Sequence, residues 1–176
     1  MEYIRNLFTA LLQQDTELAF CRSVGKHLAD VYLYDRRGIN ALHPILQDKA
    51  VRLVAEMKKH ARPIVVVSTI RTAAIQDGYY KRGRNDQGEV INKALVITDA
   101  QGLQSYHNYG LAFDVAFDGI NATDDDWQAL GVIGESLGLE WGGRWDSFPD
   151  RPHFQWTDNG RITWNKLESY FKSNRV

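Results

Sequence analysis

The sequence predicts a single α+β domain in which helices pack around an antiparallel sheet. Apolar residues at helical spacing alternate along the chain with short β-branched or alternating runs. We find no internal repeat, low-complexity tract or Pro/Ser-rich linker that would separate two units. The length of 176 residues and the hydrophobic fraction of 44% lie in the range of one globular domain. We therefore expect one domain over residues 1–176.

Charge and cysteine usage exclude several classes of protein. The 21 Lys and Arg residues nearly cancel the 22 Asp and Glu residues, which leaves a formal net charge of -1. No global field attracts phosphate backbones or anionic lipid, so nucleic acid is not an expected partner. Cys21 is the single cysteine, which excludes an internal disulfide framework and a Cys-rich structural zinc site. A monomer is the default expectation.

The first residues do not predict a targeting or membrane segment. Residues 1–14 interrupt their apolar positions with charged and polar side chains, and no small-residue cleavage site follows them. Neither a signal peptide nor a membrane span is expected. The chain is therefore predicted to be made as a soluble protein in the cytoplasm.

Residues 1–40 are predicted to form a helical extension that packs on the main body. One set of apolar residues at helical spacing comprises Ile4, Leu7, Phe8, Leu11 and Leu12, and a second apolar stretch contains Leu18, Phe20 and Val24. This pattern predicts two short helices. A frayed extension is the alternative.

The middle of the chain predicts a helix, a strand and a second helix in succession. Pro44 suits a first helical turn, and apolar residues recur at helical spacing from Leu46 to Met57. The β-branched run 64–67 predicts a strand, and residues 72–80 predict a helix. The polar, Gly-containing stretch 83–105 is expected to form a long loop or a small hairpin, and loops of this length are often functional.

The last third of the chain predicts two further strands and two further helices. In residues 111–117, alternation places Asp114 between two alanines on one face of a strand. Thr123 with Asp126 three residues later marks a helix start, and Gly138 marks its end. Residues 153–156 predict the last strand, and a terminal helix is expected to pass through residues 167–171.

A set of histidine and carboxylate residues could bind a catalytic metal ion. A catalytic zinc requires three protein ligands of the N and O type and an open position for water. His107, Asp114 and His153 would supply them, with Gly110 providing a bend between the first two. This spacing permits a zinc site but does not by itself distinguish it from a set of capping or hydrogen-bonding residues.

Two more residues are candidates for chemistry beside such a metal. Asp150 precedes His153 by three residues and could act as general base and then as general acid. Arg71 follows a predicted buried strand, where a guanidinium could hold a substrate carboxylate, although a surface ion pair is the alternative. The remaining histidines, His27, His43 and His60, are interpreted as packing or solvent-facing residues.

Several separated blocks resemble the zinc peptidases of the D-alanyl-D-alanine carboxypeptidase and L-alanyl-D-glutamate endopeptidase family. Residues 105–114 match its pattern Ser-x-His-x-x-Gly-x-Ala-x-Asp. Residues 140–155 resemble the endopeptidase branch, which includes phage endolysins, because an Asp precedes the last His by three. Leu42-His43-Pro44, Arg71 with Gln76, and Gly83-Arg84 match in order, so the resemblance spans residues 42–156.

The resemblance implies a hedgehog/DD-peptidase-like fold and a site for Zn²⁺. The ligands would be His107, Asp114 and His153, and Asp150 would be the acid-base residue. Arg71 would bind substrate or stabilise the oxyanion, and further substrate contacts are implied for Ser105 and Gln76.

The implied activity is cleavage of the peptidoglycan stem peptide between L-alanine and D-glutamate at the cell wall, reached by an export route that the sequence does not specify. Two alternatives stay open: a D-alanyl-D-alanine carboxypeptidase, and a non-catalytic zinc-stabilised wall-binding module. The chain departs from the family pattern in a longer stretch 88–104 and in Ser68-Thr69-Ile70-Arg71, where Ser-Gly-Tyr-Arg is more common.

Overall fold

The computed structural model describes residues 2–33 and 38–174, with side chains in residues 13–31 and 38–174. Within these ranges the helices are α1 (Glu2–Leu33), α2 (Pro44–Lys59), α3 (Ala73–Tyr80), α4 (Asp124–Ser136) and α5 (Trp164–Asn174). The strands are β1 (Ile64–Ser68), β2 (Ala112–Phe117), β3 (Glu140–Trp141) and β4 (His153–Gln155). No helix in these ranges has the length and apolar character needed to cross a membrane.

The four strands form one sheet in the order β1-β2-β4-β3, and each neighbouring pair is antiparallel. The predicted α+β class with an antiparallel sheet is confirmed. Helices cover one face of the central strands β2 and β4, where the register places Phe113 opposite Phe154 and their rings stack 5.7 Å apart. The sheet therefore has a rigid apolar centre.

The main core lies between the sheet and helices α2 and α4. Its fully buried side chains on these elements include Leu46, Ala50, Leu53, Met57, Phe113, Leu130, Trp141 and Phe154. The apolar stripe predicted for residues 46–57 is the face of α2 that enters this core. Glycines in α4 allow the helix to approach the sheet closely, because a Cβ on Gly131 would lie 2.1 Å from the Trp141 ring.

The predicted starts of the helices are confirmed by their caps. Thr123 and Asp126 form a reciprocal capping box at the start of α4, and Thr72 caps α3. Pro44 occupies the first turn of α2, and the His43 side chain accepts a hydrogen bond from the Ile45 N–H. Each cap satisfies a backbone donor that the first turn leaves without a partner.

The prediction of two short N-terminal helices was wrong, because α1 is one helix from Glu2 to Leu33. The polar residues 13–17 separate the two apolar stretches but include neither Gly nor Pro, so they do not end a helix. The apolar spacing at Ile4, Leu7, Phe8, Leu11 and Leu12 falls on side chains outside those described.

A second apolar cluster holds the later part of α1 against the body of the protein. It combines Cys21, Val24 and Leu28 of α1 with Tyr106, Tyr109, Leu111, Leu167 and Phe171, among others. Two histidines add polar contacts here. His27 Nε2 lies 2.9 Å from the Ala41 carbonyl oxygen, and His43 Nε2 lies 3.2 Å from Ser23 Oγ. Both histidines are packing residues, as predicted.

A buried arginine organises the loop that follows α3. Arg84 donates to the carbonyl oxygens of Tyr80 and Thr98 at 2.6 and 3.0 Å and pairs with Asp99 at 2.6 Å. An isolated bridge between Arg84 and Val90 and a 3₁₀ turn at Lys93–Leu95 are the regular structure of this stretch. The stretch predicted as a long loop or a small hairpin is therefore a loop in which Arg84 connects the beginning to the region of Thr98 and Asp99.

Alanine at two helical glycines should change stability in opposite directions. Gly131→Ala should lower the free energy of unfolding by about 1–3 kcal/mol, because the new methyl group overlaps Trp141. Gly78→Ala in α3 should raise it by about 0.5–1 kcal/mol, because Gly78 has no atom near its Cβ position and alanine favours helix. Urea unfolding of both variants measures these changes in the free energy of unfolding. Equal changes in the two variants would contradict the close packing of α4.

His43 should make the protein less stable in mild acid. Burial, and then the neighbouring His27, lowers the pKa of His43 from 6.5 to about 4. Between these two values the unfolded chain binds a proton that the folded chain excludes, so stability should fall as the pH drops from 6.5 to 4. His43→Gln should remove up to roughly 3 kcal/mol of this loss. Parallel pH dependences of unfolding in the wild type and the variant would contradict this prediction.

Candidate metal centre and cleft

Backbone pairing brings two of the predicted ligands together. Asp114 on β2 and His153 on β4 are direct cross-strand partners. Side chains of antiparallel partners lie on the same face of a sheet, with Cβ atoms about 4.5–5.5 Å apart. The register of the sheet therefore brings these two residues together in space, although they are far apart in the sequence.

The third residue, His107, is presented by a short 3₁₀ helix, Tyr106–Tyr109, directly before β2. Ser105 begins this turn, and its hydroxyl accepts the His107 N–H at 3.4 Å. Gly110 ends the turn with φ 67°, a left-handed conformation that glycine adopts without strain. The chain thereby reverses between His107 and Asp114, and the bend expected at Gly110 is present.

The three side chains converge on one point. His107 Nε2 lies 3.2 Å from Asp114 Oδ1 and 3.3 Å from His153 Nδ1, and His153 Nδ1 lies 3.1 Å from Asp114 Oδ1. Both histidines are buried, and the Asp114 side chain is 19% exposed. One ligand atom from each residue is thus available to a metal ion at this point.

The outer contacts of the two rings determine which nitrogens carry protons. His107 Nδ1 lies 2.5 Å from the Thr69 carbonyl oxygen, which can only accept, so Nδ1 is the donor. His153 Nε2 lies 3.1 Å from Gln155 Oε1, which also accepts. In a neutral ring the other nitrogen then carries a lone pair. Two lone pairs and a carboxylate oxygen then face one another, an arrangement that suits a bound cation.

The pKa shifts of His107 and Asp114 favour the protonation states in which these residues bind a metal ion. Burial lowers the pKa of His107, although Asp114 opposes the effect, so the ring is neutral at pH 7. Burial would raise the pKa of Asp114, but hydrogen bonds and charge from His107 and His153, when either ring carries a proton toward the carboxylate, lower it well below its ordinary range. An ionised carboxylate and a neutral imidazole are the forms in which these residues bind metals.

Arg71 lies beside this centre and holds the outer oxygen of Asp114. Its guanidinium Nη2 donates to Asp114 Oδ2 at 3.1 Å and to Ser68 Oγ at 3.2 Å. The Arg71 N–H donates to the His107 carbonyl oxygen, which ties the end of β1 to the 3₁₀ helix. Arg71 therefore orients Asp114 so that Oδ1 faces the histidines.

Gln76 does not occupy the place that was expected for a substrate contact. It is fully buried and does not line the cleft. Its Oε1 accepts from Arg71 Nη1 at 3.1 Å, and its Nε2 donates to the Ala100 carbonyl oxygen at 2.8 Å. With both ends of the amide engaged, Gln76 supports Arg71 and the adjacent loop instead of facing a ligand.

Asp150 lies next to the three converging side chains, in a turn held by its backbone. Its N–H donates to the Gly142 carbonyl oxygen at 2.9 Å, and its carbonyl oxygen accepts from His153 N at 3.2 Å. A Cβ at position 142 would lie 2.6 Å from the Asp150 carbonyl oxygen, so only glycine permits this approach. Burial raises the pKa of the Asp150 carboxyl, and the Asp114 charge adds to this against His153 and Arg71.

These residues open onto one cleft of about 340 Å³. The predicted residues that line it are Arg71, Ser105, His107, Asp114, Asp150 and His153. One wall is the loop 97–100, which Arg84 and Gln76 hold in place. Trp145, Phe148 and Trp164 line other parts of it. An extended ligand could therefore pass the converging side chains and meet one cation and several aromatic rings.

Glu140 and Gln155 are among the polar residues of the cleft that the sequence analysis missed. Gln155 could have been found, because it follows His153 by two residues on a predicted strand and so shares its face. Glu140 carries no such signal. Its place depends on the pairing of β3 with β4, where it lies opposite Gln155.

Comparison with known proteins identifies similar chains. A family model described as D-alanyl-D-alanine carboxypeptidase matches residues 98–156. The peptidoglycan L-alanyl-D-glutamate endopeptidase CwlK of Bacillus subtilis is 35% identical over 131 residues, which cover 67% of this chain and 75% of that protein. A Listeria phage L-alanyl-D-glutamate peptidase is 26% identical over 73% of this chain, but the match covers only 43% of the phage protein.

Solved structures show the same fold. The Serratia marcescens L-Ala D-Glu endopeptidase ChiX matches 72% of this chain and 88% of its own with a TM-score of 0.50 and 24% identity. The vancomycin-resistance D,D-pentapeptidase VanY, solved in complex with Zn(II), matches 74% of this chain and 83% of its own with a TM-score of 0.50 and 19% identity. The match with CwlK shows that the chain belongs to the D-alanyl-D-alanine carboxypeptidase and L-alanyl-D-glutamate endopeptidase family of peptidases.

Proposed function

We propose that this protein is a zinc-dependent L-alanyl-D-glutamate endopeptidase that cuts the stem peptide of peptidoglycan at the cell wall. The observation that carries the proposal is the convergence of His107, Asp114 and His153, in metal-binding form, beside Asp150 in an open cleft. The endopeptidase activity is supported by the 35% identity with CwlK and by the aspartate at position 150.

The three converging atoms fit a zinc ion. Ligand atoms at about 2.0–2.1 Å from a tetrahedral zinc stand about 3.3 Å apart, and the three distances here are 3.1, 3.2 and 3.3 Å. Two histidines and one carboxylate are a ligand set of catalytic zinc sites, which keep a fourth position open. A zinc ion bound there would polarise the scissile carbonyl and lower the pKa of a water molecule.

Asp150 is proposed to move the proton during hydrolysis. Its carboxylate would accept a proton from the attacking water and deliver it to the leaving nitrogen of the cut peptide bond. A general base works best when its pKa approaches the working pH. Burial raises the pKa of Asp150 in this direction, whereas the pKa of the neighbouring Asp114 is lowered. The two carboxylates are thereby suited to different roles.

Arg71 is proposed to bind a substrate carboxylate as well as to orient Asp114. Its contacts with Ser68, Gln76 and Asp114 leave further N–H donors among the five of a guanidinium. A glutamate residue within a peptide keeps one free carboxyl group whichever carboxyl continues the chain. A bond next to D-glutamate therefore places an anion within reach of the cation in the cleft, and Ser105 at the cleft wall could add a hydrogen bond.

Products released from purified peptidoglycan test this function. The zinc-loaded protein should release new amino termini of glutamate, identified by mass, and a chelator should abolish the release until zinc is restored. Free D-alanine as the product would instead assign the carboxypeptidase activity. Binding to the wall without any cleavage would assign the non-catalytic module.

Asp150→Asn should separate zinc binding from turnover. We expect the variant to bind one zinc ion as the wild type does, because Asp150 is not among the three converging ligands. Turnover should fall by about 10²–10⁴-fold, because the amide cannot accept the proton. Zinc content by mass spectrometry and cleavage rates measure the two effects. Loss of zinc together with activity would mean that Asp150 is a ligand or a structural residue.

A further inference from the structure

The outer nitrogen of His153 begins a chain of polar contacts that continues past Gln155. His153 Nε2 lies 3.1 Å from Gln155 Oε1, and Gln155 Nε2 donates to Glu140 Oε1 at 2.9 Å. The indole Nε1–H of Trp145 donates to the same Glu140 oxygen at 3.0 Å. Four side chains are thus connected in the wall of the cleft.

The direction of every hydrogen bond in this chain follows from Glu140. An ionised carboxylate only accepts, so Gln155 must turn its NH₂ group toward Glu140. The Gln155 carbonyl oxygen is then the group that faces His153, which must donate from Nε2. In a neutral ring, Nδ1 is left with the lone pair that faces His107 and Asp114.

The backbone of the sheet places these side chains in a row. Gln155 follows His153 by two residues on β4 and lies on the same face of the strand. Glu140 on β3 is the cross-strand partner of Gln155. Trp145 lies near both ends of this series of contacts. It donates to Glu140, and its ring centroid lies 5.0 Å from that of His153.

We propose that Glu140 and Gln155 are positioning residues that fix the tautomer and orientation of His153 for metal binding. His107 obtains the same result from a backbone carbonyl, that of Thr69, which cannot reverse its polarity. An amide can present either end, so Gln155 needs an acceptor-only partner to define its direction. Glu140 supplies it. The inference rests on the proposed zinc site, and its test has readouts other than cleavage.

Zinc affinity of the full chain, measured by competition with a chromogenic chelator, tests the proposal. Gln155→Leu should weaken zinc binding by about 10–100-fold, the usual effect of losing such an outer partner of a ligand histidine. Gln47→Leu removes an amide that donates to the Leu42 carbonyl oxygen, away from the cleft, and should leave zinc affinity unchanged. Unfolding of the metal-free proteins, followed in parallel, identifies any general loss of structure.

A charge swap distinguishes hydrogen-bond direction from packing. Gln155→Glu alone places two carboxylates against each other and should weaken zinc binding. The double variant Glu140→Gln/Gln155→Glu restores a consistent chain, in which the carboxylate at position 155 accepts from both His153 and the new amide. It should bind zinc within about threefold of the wild type. A double variant no better than Gln155→Glu, or Gln155→Leu with wild-type affinity, would overturn the proposal.

The tautomer of His153 gives a readout that does not depend on zinc. Nitrogen-15 spectra of the metal-free wild type should show His153 protonated at Nε2, and Gln155→Leu should shift it toward a mixture of tautomers. An unchanged tautomer in Gln155→Leu would also overturn the proposal. A wild type that binds no zinc but shows this shift would contradict the proposed function and leave the role of Glu140 and Gln155 supported.

Discussion

The antiparallel pairing of β2 with β4 is the constraint on which the site depends. It makes Asp114 and His153 direct partners, and it brings the turn that carries Asp150 beside them. Two stacked phenylalanines, Phe113 and Phe154, lie on the other face of the same pair of strands. The register that buries the apolar core therefore also positions the polar centre, because a slip of one residue would exchange the two faces.

The centre collects electron-pair donors in a small volume. Three electron-pair donors converge within 3.3 Å, and burial discourages His107 from taking up an extra proton. Such an arrangement costs free energy that the rest of the fold must offset. Close packing of α4 on the sheet and the cluster that fixes α1 provide apolar burial on both sides of the site.

Each of the three converging side chains is held by a different kind of outer partner. His107 uses a backbone carbonyl, Asp114 uses the guanidinium of Arg71, and His153 uses the side chain of Gln155. Arg71 and the two histidines surround Asp114, whose pKa is lowered, while the pKa of the half-buried Asp150 is raised chiefly by burial. The different environments of Asp114 and Asp150 thus make two side chains of the same type suited to different chemistry.

Local patterns in the sequence determined helices α2 to α5 and strands β1, β2 and β4, because capping residues, Pro44, β-branched runs and apolar periodicity act within a few residues. The short strand β3 was not predicted. The motif around His107 and Asp114 and the Asp150–His153 spacing identified the candidate centre through family resemblance. Only the tertiary structure decided the burial of Gln76 and the place of Glu140. These depend on contacts between residues distant in the chain, which no local pattern records.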